Sequence, residues 1–291
     1  MNLKASLLDP HLQVFLAVAQ RKSMHAAAKA IHLTQTAVTQ RIRTLETRLQ
    51  TTLFIRTHHG VLLTSEGEAL LRYCYATQEL EGHALANING AGVEATVRLS
   101  ISGPTSIMTS RIIPKCRTLM RKYPNLLLSF DINDSPQRIN SLQTGASHFV
   151  IIEPQYVFKE MQIKPIKAEQ YVLVGPSSWK NRDLKEILQA ERIIDFDESD
   201  TMTLNYLKHY DLLKHIRPER HFVNINESLL GLFIEGYGFG VLSTELCQPY
   251  LDQNQLSVLN SGQSYENALV LAWYMRNEPP SYFADVIDLI G

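Results

Sequence analysis

FLAVAQRKSMHAAAKAIHLTQTAVTQRIRTLETRLQTTLFIRTHHGVLLTSEGEALL, residues 15–71, holds several helical periodicities separated by tight breaks. From Pro10, apolar residues at Leu12, Phe15, Leu16 and Ala19 keep the i, i+3, i+4, i+7 spacing that predicts a helix with one buried stripe, running to about Arg21. Ser23 offers an N-cap for a short alanine-rich helix from Met24 to Ala30. His32 and Leu33 form a tight break, and Thr34 caps a third helix whose buried face is Val38, Ile42, Leu45 and Leu49. Gln35, Thr36, Thr39, Gln40 and Arg43 fall away from that stripe. A short helix, a tight turn and a helix with a polar, basic outer face make a helix-turn-helix. Leu53 to Thr64 then alternates across a His-Gly turn, the pattern of a small β-hairpin or wing. Thr64 to Glu68 cap a long helix to about Ile88. Its Leu70, Tyr73, Leu80 and Ala84 keep 3-and-4 spacing around a polar Thr77, a seam that suits a partner helix and hence a dimer.

Charge divides the chain at the same place. The 291 residues carry 28 Lys and Arg against 29 Asp and Glu, a formal net charge of −1 that by itself argues against a binder of polyanions. Residues 1–64 hold eight of the basic residues and only Asp9 and Glu46 on the acidic side, a surplus of six positive charges, so the remainder is acidic by seven. A basic head on an acidic body is the footprint of one domain that meets nucleic acid and another with a different task. Hydrophobic residues at 45% exclude a disordered chain, and the length suits two or three domains. Cys74, Cys116 and Cys247 form neither a disulfide framework nor a C-x-x-C pair. No apolar run approaches the ~18 residues of a membrane span, and Asp9, Pro10 and His11 interrupt any signal-peptide core. A cytoplasmic protein with no membrane partner is expected.

Asn87 to Thr96 is small, polar and Gly-containing, the composition of a linker. Beyond it, strands at Val97–Ser102, Leu126–Ile132, His148–Glu153, Gln170–Gly175, Arg192–Phe196 and Arg220–Ile225 alternate with helices, which predicts parallel sheets covered by helices in two lobes. A final strand, Ala268 to Met275, and a helix after Pro279-Pro280 are placed to return to the first lobe. Ligands of open α/β sheets bind beyond the carboxyl ends of the strands, so the pocket is expected in a cleft between the lobes. There Ser102, Thr105 and Ser106 join a strand end to a helix start and suit the carboxylate of a small metabolite. Asp134, Asp197 and Glu227, at facing strand ends, suit an amino group. Helix capping or first-turn charge is the competing role of Asp197, Asp200 and Glu227.

Enzyme motifs are weak. Gly236-Tyr237-Gly238-Phe239-Gly240 follows a helix and precedes a strand, the reverse of a dinucleotide fingerprint. Ser177-Ser178-Trp179-Lys180 matches S-x-x-K without its companion motifs. With no H-E-x-x-H among ten histidines, neither a catalytic constellation, a metal nor a cofactor is expected.

With those elements placed, residues 15–71 closely resemble the winged helix-turn-helix of LysR-type transcriptional regulators. The later order of elements is similar to that family's effector domain, a two-lobed fold like that of periplasmic binding proteins. The implied fold class is an α-helical winged helix-turn-helix N-terminal domain (1–64) and a linker and dimerisation helix with hinge (65–92), joined to an α/β two-lobed effector-binding domain (93–291). The resemblance implies a DNA-binding transcriptional regulator modulated by a small-molecule effector. It also implies a homodimer or homotetramer on an operator of double-stranded DNA. The DNA-facing set is then Ser23, Gln35, Thr36, Thr39, Gln40, Arg41, Arg43 and Arg56. Gln suits adenine edges and Thr suits thymine or phosphate. Arg56 is placed in the wing for phosphate or the minor groove. IIDFDESDTM and HFVNINESLLGLFIEGYG are similar to the ArgP branch, associated with basic amino acids, although Ser106 stands where that branch carries an acid. The alternative is a small-molecule-binding or enzymatic α/β protein with an incidental helical domain.

Overall fold

A computed structural model describes residues 8–58, 60–88, 97–276 and 279–291. The head begins with α1 (Pro10–Arg21), α2 (Met24–Ala30) and α3 (Gln35–Leu49). Each start is capped as its residues dictate. Asp9 accepts the His11 N–H at 2.7 Å, Ser23 accepts that of Ala26 at 3.3 Å, and Thr34 accepts that of Ala37 at 3.1 Å. Lys22, His32 and Gln50 turn the chain with φ between 51° and 56°. Val14, Phe15, Val18, Ala27, Val38 and Ile42 are buried together as the head core. Leu49, expected on that face, is instead exposed, because α3 ends there and Gln50 turns the chain away.

The wing pairs β1 (Phe54–Thr57) with β2 (Gly60–Leu63) in antiparallel register. Phe54 drives its ring against Phe15 at 5.2 Å, and the Val61 N–H donates to Lys22 O at 3.0 Å, which pins the hairpin to the end of α1. Gly60 is required at this contact. Its φ is +133°, and a Cβ would fall well inside van der Waals contact of Lys22 O. Gly60→Ala is therefore expected to destabilise the head by about 2 kcal/mol. Thermal unfolding would check this, and an unchanged transition would contradict it. His59, of the expected His-Gly turn, lies outside the described residues.

Helix α4 (Ser65–Ile88) leads out of the head, with Thr64 Oγ1 accepting the Gly67 N–H at 3.0 Å. Its Leu71 and Cys74 pack on the head core, whereas Tyr73 and Leu80 are 57% and 68% exposed. The Ala84 side chain and the expected linker from position 89 to 96 lie outside the described residues.

The body follows as β3 (Val97–Gly103), α5 (Thr105–Ile107), a π-helical turn (Met108–Ile112), α6 (Ile113–Lys122), β4 (Leu126–Ile132), α7 (Ile139–Gln143) and β5 (Phe149–Ile152). Next come β6 (Met161–Pro176), α8 (Leu184–Ala190), β7 (Ile193–Asp195), α9 (Met202–His209), β8 (Arg220–Phe222) and α10 (Asn226–Ile234). The chain closes with β9 (Gly240–Ser243), α11 (Thr244–Asp252), β10 (Leu256–Val258), β11 (Ser264–Tyr274) and α12 (Ser281–Ile290).

The strand order is β10-β6-β11-β5-β3-β4, with β9 also paired to β6. This sheet is mixed where parallel sheets were expected. β3 is parallel to β4 and β5, but β11 runs antiparallel to both β5 and β6. The cause is that β6 and β11, 16 and 11 residues long, carry the chain between lobes in opposite directions. A register shift between Asn267 and Leu269 marks the crossing. Lobe 1 buries Leu99, Ile101, Phe149 and Leu271 against Phe283 and Val286 of α12, as the return of the C-terminus predicts. Lobe 2 buries Leu173, Ile187, Tyr206 and Phe239, with Val174 and Phe233 on its other side. Among the described residues one ion pair spans the lobes: Arg111, in the π-helical turn, donates through Nε to Glu245 of α11 at 2.7 Å and to the Lys167 and Ala168 carbonyls on β6.

Candidate DNA interface and effector cleft

On α3 the side chains of Gln35, Thr36, Gln40 and Arg43 are exposed, while Thr39 and Arg41 are half-buried beside the Val38 and Ile42 stripe. Arg56 of β1 and Lys29 at the end of α2 are also exposed. The set thus lies on one helix and its flanking wing, with Ser23 half-buried as the cap of α2. The Glu46 carboxylate accepts the Leu53 N–H at 2.9 Å and ties the end of α3 to the wing. Arg48 is drawn to Asp9 at 3.5 Å. If the polar face of α3 reads bases and the wing arginine neutralises phosphate, Gln40→Ala relaxes base preference. Arg56→Ala then weakens binding to all sequences alike and lowers the salt slope by about 1. Competition between operator and mutated duplexes separates the two, and identical effects would contradict the division.

The lobes enclose a cleft of about 530 Å³. Of the six residues expected to hold an effector, Ser106, Asp134 and Asp197 line it, and Ser102, Thr105 and Glu227 do not. Ser102 is fully buried in β3, with its hydroxyl donating to Asp131 at 2.8 Å. Thr105 donates its N–H and hydroxyl to Asp134 at 2.8 and 2.6 Å, so the expected carboxylate cradle is already engaged by a carboxylate of the protein. Asp197 accepts the N–H groups of Ser199 and Asp200 at 2.7 and 3.0 Å, a turn-capping role. Glu227 sits in the first turn of α10.

Seven carboxylates line the cleft against one guanidinium, that of Arg138, among the described residues. Arg138 is 3% exposed and donates to Glu153 at 2.9 Å and to Ile151 O at 2.8 Å. Asp195 pairs with Arg220 at 2.7 Å, but burial outweighs that pairing and pushes its carboxyl above the ordinary aspartate range. Asp200 accepts the Phe196 and Met202 N–H groups at 3.3 and 2.9 Å. One carboxylate remains under-satisfied. Glu169, on β6 where the chain passes between the lobes, is 1% exposed and accepts the Tyr171 hydroxyl at 3.0 Å through Oε2. Its Oε1 has no hydrogen-bond partner, and neither has the buried Ser243 Oγ. The hydroxyls of Ser106 and Ser243 are close enough to favour the ionised form, yet neither reaches Oε1 in hydrogen-bonding geometry.

Burial pushes the Glu169 carboxyl above the ordinary glutamate range, and Glu245 adds like-charge repulsion. As pH rises, the unfolded chain ionises first and the native site resists, so stability is lost through the raised native value. Glu169→Gln removes that slope. The melting temperature of the variant minus that of the parent is expected to be positive near neutrality and to shrink on acidification, and a difference independent of pH would contradict the assignment.

Glu169, Glu153, Arg138 and Asp195 were absent from the expected set. A period of two carried back from Leu173 and Tyr171 reaches Glu169 and is the one sequence signal for it. Burial pushes the Cys74, Cys116 and Cys247 thiols to about 11, 11 and 12, so none is poised as a nucleophile. Among the described residues no group of three His, Cys, Asp or Glu side chains is placed to hold a metal ion. No helix there is long and apolar enough to cross a membrane.

A helix-turn-helix with a wing, carried on a long helix and joined to two lobes around a polar cleft, defines a ligand-responsive transcriptional regulator. Residues 10–68 match the bacterial regulatory helix-turn-helix proteins of the lysR family, and residues 93–291 match the LysR substrate binding domain. The chain belongs to the LysR family. It is a DNA-binding transcriptional regulator modulated by a small-molecule effector, not an enzyme. The transcriptional regulator CysL of Bacillus subtilis is 25% identical over 254 residues, which cover 86% of this chain and 85% of that protein. ArgP from Mycobacterium tuberculosis superposes with a TM-score of 0.77 at 22% identity, covering 98% of this chain and 96% of that one. LysG from Corynebacterium glutamicum with bound effector Arg gives 0.75 at 16% identity over 97% and 96%.

Proposed function

We propose that this regulator responds to a small molecule that presents an amine or guanidinium to Glu169 in the inter-lobe cleft. The unpartnered Glu169 Oε1 carries the reading. A buried carboxylate lacking an acceptor's full complement of donors is unfavourable, and a cationic N–H donor of a ligand would satisfy it with a charge-assisted bond. The surplus of carboxylates around the cleft favours the same sign of ligand. Where the ArgP branch carries an acid at position 106, this chain has Ser106, and Glu169 brings a carboxylate from β6 to that neighbourhood. The fold shared with arginine-bound LysG makes L-arginine the first probe.

The effector site then sits at the strands that join the lobes, so occupancy biases their arrangement if the ligand binds one arrangement more tightly. The operator is contacted by the exposed face of α3 and by Arg56. A homodimer forms along the Tyr73 and Leu80 stripe of α4, with a tetramer as the larger assembly, in the cytoplasm. The working division is 1–64 for DNA, 65–92 for the linker helix and hinge, and 93–291 for the effector. Thermal unfolding titrated with L-arginine, L-lysine, agmatine and succinate tests the sign of the ligand. At about 100 times Kd a bound amine stabilises by about 2.7 kcal/mol. Stabilisation by succinate alone would contradict the reading.

A further inference from the structure

We infer that the effector is a cation without a carboxylate, a di- or polyamine or an aminoalkylguanidine, and that Asp134 is the residue that excludes amino acids from the cleft. This rests on the assignment of Glu169 as the partner of one cationic group. The other end of the ligand then meets the remaining lining of the cleft.

An amino acid needs a place for its carboxylate, either backbone N–H groups at a strand end or helix start or the fork of a guanidinium. Those groups are already engaged at three places. Thr105 gives its N–H and hydroxyl to the two oxygens of Asp134 at 2.8 and 2.6 Å, so a carboxylate of the protein stands where that of a ligand would. The turn between β7 and α9 is closed in the same way. Asp197 accepts the N–H groups of Ser199 and Asp200 at 2.7 and 3.0 Å, and Asp200 accepts those of Phe196 and Met202 at 3.3 and 2.9 Å. Arg138, the one guanidinium lining the cleft among the described residues, is 3% exposed and already holds Glu153 and three backbone carbonyls.

Charge selects in the same direction. Glu153 pairs with Arg138 and Asp195 with Arg220, which leaves Asp134, Glu169, Asp197, Asp200 and Glu266 lining the cleft without a basic partner among the described residues. A ligand carboxylate placed among them meets like charge, whereas a second cationic group meets the opposite sign. The unpartnered atoms specify the group that enters. Glu169 Oε1 and Ser243 Oγ both line the cleft from residues 1% and 3% exposed, and neither has a hydrogen-bond partner. Ser243 stands opposite Tyr171 where β9 pairs with β6, two residues on from Glu169. Two buried acceptors on adjacent strands suit an ammonium or guanidinium, which carries several N–H donors and no acceptor.

Calorimetric titration of the full chain with agmatine, L-argininamide and L-arginine tests the inference. All three carry the guanidinium, and L-argininamide differs from L-arginine only in bearing a neutral amide in place of the carboxylate. Agmatine and L-argininamide are each expected to bind more tightly than L-arginine by about tenfold or more. Asp134→Ala frees the Thr105 N–H and hydroxyl and is expected to narrow that ratio by about threefold or more. The ratio in the parent chain decides where the variant does not fold. An unchanged ratio in the folded variant would overturn the role of Asp134, and L-arginine binding as tightly as the two carboxylate-free probes would overturn the selectivity as a whole. In that case weakening of L-arginine by Glu169→Gln leaves the cation reading of the cleft standing, whereas saturable binding of none of the three overturns both.

Discussion

Replacing Arg138 by methionine is expected to destabilise lobe 1 by roughly 3–5 kcal/mol, the cost of leaving a buried partner without its counter-charge. The guanidinium is 3% exposed and holds four acceptors: Ile151 O at 2.8 Å, Glu153 at 2.9 Å, Ser135 O at 3.2 Å and Asp134 O at 3.4 Å. Methionine fills similar volume but donates to none of them. Glu153 has 22% of its side chain exposed and rehydrates in part through the cleft, which places the effect toward the lower end. Urea unfolding of the full chain, followed by a probe in lobe 1, measures it. Adding Glu153→Gln to the variant is expected to recover part of the loss through coupling of 0.5 kcal/mol or more. A double variant no better than the single one would show that the carbonyl bonds, not the ion pair, carry the energy.

Glu169→Gln is expected to weaken L-arginine binding by about ten- to a hundredfold, because a hydrogen bond to a charged group contributes about 1.5–3 kcal/mol. The amide keeps the volume and can still accept from Tyr171, so the substitution removes charge with little change in packing. Calorimetric titration of both proteins gives the ratio directly. Equal affinities would remove Glu169 from the effector site and leave its unpartnered oxygen unexplained.

The head was largely legible because its signals are local. Val38, Ile42 and Leu45 define the buried stripe of α3 by period alone, and Thr34 sets its first turn through one side-chain bond. In the body, β4 and α8 stand where the alternation and apolar spacing put them. The first half of β6 was missed because Met161 to Ala168 is only half exposed, without a clean alternation, and contains Pro165; its strand state comes from pairing with β11. Helix α11 carries Pro249 in its interior, and its neighbour β10 has three residues, too few for a period to register. Strand direction was misread because local alternation of β and α elements says nothing about a strand that crosses to the other lobe.

The effector site was less legible, for a physical reason. The residue types that suit a ligand also suit helix starts, and Asp134 shows the ambiguity by lining the cleft while its carboxylate is engaged by Thr105. Glu169 became distinctive only through burial between lobes, a property that β9 and its Ser243, 70 residues of intervening chain further on, help to create.

The central claim is that one chain couples operator binding to a cationic effector. Fluorescence anisotropy of a labelled duplex, taken from the DNA upstream of the protein's own gene, tests it with full-length protein at about 50 to 200 mM salt. The account predicts binding that weakens steeply with salt and an affinity that L-arginine shifts by about fivefold or more at each salt concentration. Binding indifferent to salt, or an affinity unmoved by L-arginine, L-lysine and agmatine alike, would contradict it.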